Sequence, residues 1–199
     1  MTDAEDYFDK LYNNNADPWA YRQRWYEKRK RDLTLASLPR QRYARAFEPG
    51  CSNGELSLAL ATRCKQLLCT DLNTQAVELA RQRLRHSPGV TVAQCALPEG
   101  WPPGEFDLIV LSEIGYYLPP RDWETVSLQA GRSLTANGTL LACHWLHPIE
   151  GCAMDGLEVH RVLAEVLELK PWISHQEEDF ILEIWSHQPV GFDLNEVVA

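Results

Sequence analysis

Phe47-Glu48-Pro49-Gly50-Cys51-Ser52-Asn53-Gly54, answered downstream by Leu67-Leu68-Cys69-Thr70-Asp71, decides how this chain folds. The order is strand, glycine-bearing turn, helix, and second strand ending in a carboxylate, which is how a Rossmann-like half holds an adenosine ligand. Glycine leaves the backbone without a Cβ where a ligand approaches or φ must be positive. An acid at the tip of the second strand can accept hydrogen bonds from both ribose hydroxyls. Asp71 follows Gly50 by 21 positions, against about 20 for a ribose-binding acid.

The turn itself argues against a dinucleotide. A pyrophosphate cradle wants G-x-G-x-x-G, whereas here Ser52 stands where a middle glycine would, and Glu48 precedes the turn. An acid is badly placed beside a phosphate and well placed beside a cationic amino-acid head group. S-adenosylmethionine carries such an ammonium, a sulfonium and a ribose, and no phosphate. Acid-x-Gly-x-x-x-Gly followed by Asp71 resembles motifs I and II of the class I S-adenosylmethionine-dependent methyltransferases.

The chain has 199 residues, 45% of them hydrophobic, enough for one domain that buries about 70% of its unfolded surface. We expect residues 1–40 to form a cap of aromatic and basic helices and 41–199 a Rossmann-like core. The six cysteines form no C-x-x-C pair and read as small buried residues of a reducing compartment. No apolar run approaches the roughly 18 residues of a membrane span, and Met1 to Asp6 is acidic, unlike a secretory leader. A cytoplasmic location, as a monomer or weak homodimer, is the expectation. Charge is uneven: the total is −9, yet residues 21–45 hold nine arginines and lysines against two acids. That segment reads either as a nucleic-acid guide or as a solvated helix face paired with the acidic body.

Alternating strands and helices imply a parallel sheet covered on both sides. The expected elements are a helix from Tyr21 to Leu38 stopped by Pro39, strands at Arg45–Glu48, Gln66–Thr70, Val90–Cys95, Phe106–Leu111 and Thr139–Cys143, and helices after Gly54 and from Thr74 to His86. Further helices run from Arg121 to Leu134, with a turn at Asn137-Gly138, and from Asp155 to Leu169. Trp172–Gln176 and Phe180–Trp185, joined by Glu177-Glu178-Asp179, read as a hairpin. Class I methyltransferases share that ending, an antiparallel hairpin completing a seven-stranded, mostly parallel sheet.

Asp17-Pro18-Trp19, Tyr26-Glu27-Lys28-Arg29-Lys30, Glu48-Pro49-Gly50-Cys51-Ser52-Asn53-Gly54 and Leu111-Ser112-Glu113-Ile114-Gly115-Tyr116-Tyr117-Leu118 together resemble the nodulation-type (NodS-like) methyltransferases. The likeness covers most of residues 15–145. Members of known role N-methylate the free amine of a deacetylated chitooligosaccharide with S-adenosylmethionine. The resemblance implies that Glu48, Gly50, Cys51 and Gly54 hold the methionine end of the cofactor, Asp71 the ribose and Leu72 the adenine. No acid follows strand three, where Cys95-Ala96-Leu97 stands, so Leu97 or backbone groups would meet the adenine.

Ligands of open α/β sheets sit beyond the carboxyl ends of the strands. Strand four brings Ser112, Glu113, Tyr116 and Tyr117 there, and strand five His144, Trp145 and His147. Ser112 is read as a cofactor contact, Glu113 and His144 as candidate bases for an amine acceptor, and Tyr116, Tyr117, His147 and Trp19 as acceptor contacts. The competing readings are that Glu113 pairs with a cation of the N-terminal helix and that His144 is a hydrogen-bonded core histidine. Trp25 is expected to anchor the N-terminal helix, and His86, His160, His175 and His187 to lie at the surface. No ligand spacing for a metal is visible. The reading is therefore a methyltransferase acting on a small molecule, an amine or amino sugar by preference. An RNA methyltransferase, a non-catalytic nucleoside-binding module and a short NAD-binding protein are the alternatives.

Overall fold

A computed structural model describes residues 3–13 and 15–189. Met1, Thr2 and Asn14 of the expected cap, and residues 190–199 of the expected core, lie outside them. Seven strands form one sheet in the order β3-β2-β1-β4-β5-β7-β6: β1 Tyr43–Pro49, β2 Cys64–Asp71, β3 Val90–Gln94, β4 Phe106–Ser112, β5 Leu134–Trp145, β6 Ile173–Gln176 and β7 Phe180–Trp185. The first five pair in parallel, and β7 runs antiparallel to both β5 and β6. Helices α1 Asp3–Tyr12, α2 Trp25–Ser37, α3 Glu55–Ala61, α4 Thr74–Leu84, α5 Pro120–Ser133 and α6 Gly156–Leu167 surround it. This is the Rossmann-like, mostly parallel seven-stranded sheet with an antiparallel ending that the sequence predicts.

The central strands explain the arrangement. β4 is Phe-Asp-Leu-Ile-Val-Leu-Ser, and five of its seven side chains are buried, as a parallel strand covered on both faces requires. Leu108 and Val110 face one apolar layer with Leu60 of α3 and Ala80 of α4, while Ile109 and Leu111 face another with Trp123 of α5 and Leu163 of α6. Period-two alternation thus sends each residue to one helical layer. Strand order reverses between β1 and β4, and a crevice opens beyond their carboxyl ends.

Two element boundaries and one anchor residue depart from the expectation. α2 begins at Trp25 rather than Tyr21, because the Asp17 carboxylate accepts from the backbone N–H groups of Tyr21 (2.9 Å) and Arg22 (3.1 Å) and holds them in a turn. β5 begins at Leu134, not Thr139: Leu134 pairs with Phe106, and a bulge between Phe106 and Leu108 absorbs the register change, so Asn137-Gly138 lies inside a strand. Trp25 is 70% exposed, and its neighbour Tyr26 is the anchor, edge-on to Trp145 and Phe180.

All six cysteines are free. Among the described residues no helix is long and apolar enough to cross a membrane, and no group of three or more His, Cys, Asp or Glu is placed to hold a metal.

Candidate functional site

The glycine turn between β1 and α3 is a tight, left-handed structure. Gly50 (φ +69°), Ser52 (φ 51°) and Gly54 (φ +78°) all have positive φ, which glycine adopts freely and serine only at a cost. A Cβ on Gly50 would stand 2.1 Å from the Ile114 side chain. Asp71 closes the turn from below: its carboxylate accepts from the backbone N–H of Ser52 at 2.8 Å and of Asn73 at 2.9 Å. Asn73 in turn caps α4, accepting from the Ala76 N–H at 2.9 Å, a contact worth about 1 kcal/mol.

The centre of that turn grips the N-terminal segment. Tyr12 and Ser52 share a hydroxyl–hydroxyl bond of 2.6 Å, the Asn53 amide donates to Asp17 at 3.0 Å, and the Asn73 amide donates to Asp9 at 2.7 Å. These bonds lay an aromatic cluster over the crevice. Trp19 stacks on Tyr21 with centroids 5.4 Å apart, and Phe8 meets Tyr117 edge-on at 5.0 Å.

Opposite the turn stands a polar wall built on Glu113, itself at φ 57°. One carboxylate oxygen accepts from the Lys30 ammonium at 2.6 Å; the other accepts from the Tyr116 hydroxyl and from the Trp145 N–H at 3.1 Å. Lys30 also meets Glu27 at 3.2 Å. Burial disfavours its charge, but Glu113 and Glu27 outweigh that and hold the ammonium above its ordinary pKa.

Turn, cap and wall enclose one cavity of about 890 Å³, within the usual range for a small-molecule site. The chain matches the methyltransferase domain family over residues 46–138. A Pseudomonas syringae protein of known structure, assigned to the methyltransferases, is 52% identical, with a TM-score of 0.73 over 82% of this chain and 99% of its own. The chain belongs to the class I methyltransferases. About half of the chain is also similar in sequence to nodulation protein S. Nodulation protein S of Rhizobium tropici is 31% identical over 103 residues, 51% of this chain and 43% of the relative, so the match spans less than half of that relative's length. The N-methyltransferase NodS from Bradyrhizobium japonicum, solved with S-adenosyl-L-homocysteine, shares the fold at 20% identity, with a TM-score of 0.76 over 92% of this chain and 97% of its own.

In this methyltransferase the cavity is lined by Glu48, Gly50, Cys51, Asp71, Leu72, Leu97 and Ser112, and also by Glu113, Tyr116, Tyr117 and Trp19. Gly54 lies just behind, capping α3 against Ala80. Two others of the residues picked from sequence also fall outside. His144 is completely buried beneath the Gly115 turn and does not reach the cavity, so it cannot act there as a base. His147 sits on the surface, paired with Asp179 at 2.8 Å. His160, expected at the surface, is buried at 3% exposure against His144. Sequence reading missed Phe8, Tyr12, Tyr21, Lys30 and Arg31 as lining residues. The i, i+4 spacing of Phe8 and Tyr12 was the available signal for the first two.

The cofactor of this family is S-adenosylmethionine, and the residues present fit it. Glu48 is 2% exposed and has no basic partner among the described residues; the Cys69 thiol, 3.5 Å away, donates to it, and the Ser57 side chain also favours its charged form. Burial pushes its carboxyl up to about 7. A buried acid lacking a cation suits a ligand that brings an ammonium and no phosphate. Asp71, which also lines the cavity, holds the turn, and burial raises its pKa as well.

Proposed function

We propose that this chain transfers a methyl group from S-adenosylmethionine to the amine of a small molecule, an amino sugar or its oligosaccharide being the favoured class. The carrying observation is that one cavity joins the Gly50 turn and Asp71 to an acid-and-aromatic wall made of Glu113, Tyr117 and Trp19. Glu48 receives the ammonium of the methionine end beside the backbone of Gly50, Cys51 and Gly54. Asp71 takes the ribose, Leu72 and Leu97 flank the adenine, and Ser112 lies at the junction with the acceptor.

When bound, the cofactor supplies an electrophilic methyl on a sulfonium, and an amine lone pair displaces the thioether in line, so positive charge passes from sulfur to nitrogen. The chain's part is alignment and accommodation of that charge. Aromatic faces of Tyr117, Trp19 and Tyr21 attract a cation, and the Glu113 carboxylate lies alongside. Glu113 already accepts from Lys30, Tyr116 and the Trp145 N–H, so it serves as a fixed negative charge while the acceptor arrives as free amine. His147 and His144 take no direct part.

The basic segment supports a small acceptor over RNA. Each of its nine cations meets an acid or a backbone carbonyl within the chain. The bidentate pair of Arg29 with Glu177, two bonds of 2.7 Å, is the clearest. The test is incubation with methyl-labelled S-adenosylmethionine and a panel of amino-sugar oligosaccharides, simple amines and matched alcohols. Label in amines alone is expected. Label in alcohols, or none anywhere despite bound S-adenosylhomocysteine, would overturn the proposal.

A further inference from the structure

Behind the wall lies a hydrogen-bonded line that the chemistry above does not use. The Gly115 N–H donates to His144 Nε2 at 3.1 Å, His144 Nδ1 faces His160 Nε2 at 3.0 Å, and His160 Nδ1 faces a Glu183 oxygen at 2.8 Å. Four elements contribute: the 3₁₀ turn Gly115–Tyr117, β5, α6 and β7. Both imidazoles are buried, at 0% and 3% exposure.

Proton counting fixes the line's direction. A backbone N–H can only donate, so His144 Nε2 carries no proton and accepts. Its proton is then on Nδ1 and is donated to His160 Nε2, which leaves the His160 proton on Nδ1, aimed at Glu183. The line therefore holds two protons on four nitrogens. A third on His160 would turn its Nε2 into a donor and force His144 into the opposite tautomer, setting N–H against N–H at Gly115.

We propose that His144, His160 and Glu183 form a proton-ordered positioning relay that holds the Gly115–Tyr117 turn, and with it the tyrosine wall of the cavity, in place. Gly115 is already pressed from behind, since a Cβ there would stand 2.4 Å from Val159 and 3.1 Å from the Trp123 ring. Its N–H bond sets the remaining freedom. The next two residues are the wall: Tyr116 bonds Glu113, and Tyr117 meets Phe8 of the cap.

The charged and titratable groups around His144 are His160 of α6, Lys30 of α2, Tyr116 of the turn and, through His160, Glu183 of β7. Burial, His160 and Lys30 all push the His144 pKa well below its ordinary value, which favours its neutral form. The relay depends on the methyltransferase reading only for its use, because its existence can be measured without ligand.

The test is nitrogen-15 NMR of the full chain. Long-range correlations should show His144 and His160 neutral with the proton on Nδ1, and the Gly115 amide protected from exchange. Glu183→Gln still accepts from His160 and should keep both features. Glu183→Leu, which touches neither Gly115 nor the cavity, should lower Gly115 protection about tenfold or more and shift the Tyr116 and Tyr117 signals. A proton on His144 Nε2 in the wild-type chain, or unchanged Gly115 protection in Glu183→Leu, would overturn the proposal. If Glu183→Leu does not fold, the wild-type tautomers alone decide. An intact relay in a chain that fails to bind S-adenosylhomocysteine would overturn only the function proposed above.

Discussion

The cavity has two sides made in different ways. The glycine-turn side comes from 24 consecutive positions, Glu48 to Asp71, held by short-range backbone bonds and closed by one acid. The opposite wall is assembled from α2, the Gly115 turn and β5, with Lys30 reaching Glu113 across 83 positions. The local side needs particular backbone angles. The distant side needs charges that balance.

That contrast can be broken most strongly at Lys30. Lys30→Met leaves Glu27 and Glu113 without their buried cation, and urea unfolding should show a loss of about 3–5 kcal/mol. On the local side, Gly50→Ala puts a Cβ at positive φ against Ile114, and the same measurement should give about 2–4 kcal/mol. Asp71→Ala should cost about 1–3 kcal/mol of S-adenosylhomocysteine affinity by calorimetry, whereas substitutions in the wall should act mainly on the acceptor.

Glu48 gives a subtler distinction. The unliganded carboxyl titrates near 7 rather than at its ordinary 4.5, so below 7 it holds a proton that an incoming ammonium must expel. Affinity for S-adenosylhomocysteine should weaken about tenfold per pH unit as pH falls below 7, with proton release seen as buffer-dependent heat. Stability of the free protein moves the other way. It falls as pH rises from 4.5 to 7, because the native state keeps a proton the unfolded chain gives up. Glu48→Gln should flatten both profiles. The smallest effect belongs to Trp25→Ala, expected within about 0.5 kcal/mol, since that ring is mostly in solvent and touches only the surface Lys28.

Much of the fold was legible, for identifiable reasons. The Gly50-to-Asp71 spacing, the apolar run of β4 and the acidic hairpin turn are local signals that no distant contact overrides. Asn137-Gly138 misled because it is a turn dipeptide in isolation, and only pairing of Leu134 with Phe106 draws it into β5. His144 was placed at the rim because it ends a strand, yet its parity with Leu140 and Ala142 assigns it to the layer beneath α5 and α6. Only the register of β5 reveals which face that is. Asp17-Pro18-Trp19 and Ser52-Asn53 were read as separate signature pieces, and their bond shows that they are two halves of one clasp.

The cavity is lined by eight acidic residues against two cations, Lys30 and Arg31, and that arithmetic leaves the chamber with a surplus of acid. On the function proposed above, that surplus would sort acceptors by charge before shape is consulted. Phosphorylated or carboxylated forms of an otherwise suitable amine would be repelled at the threshold, and a neutral or cationic one admitted.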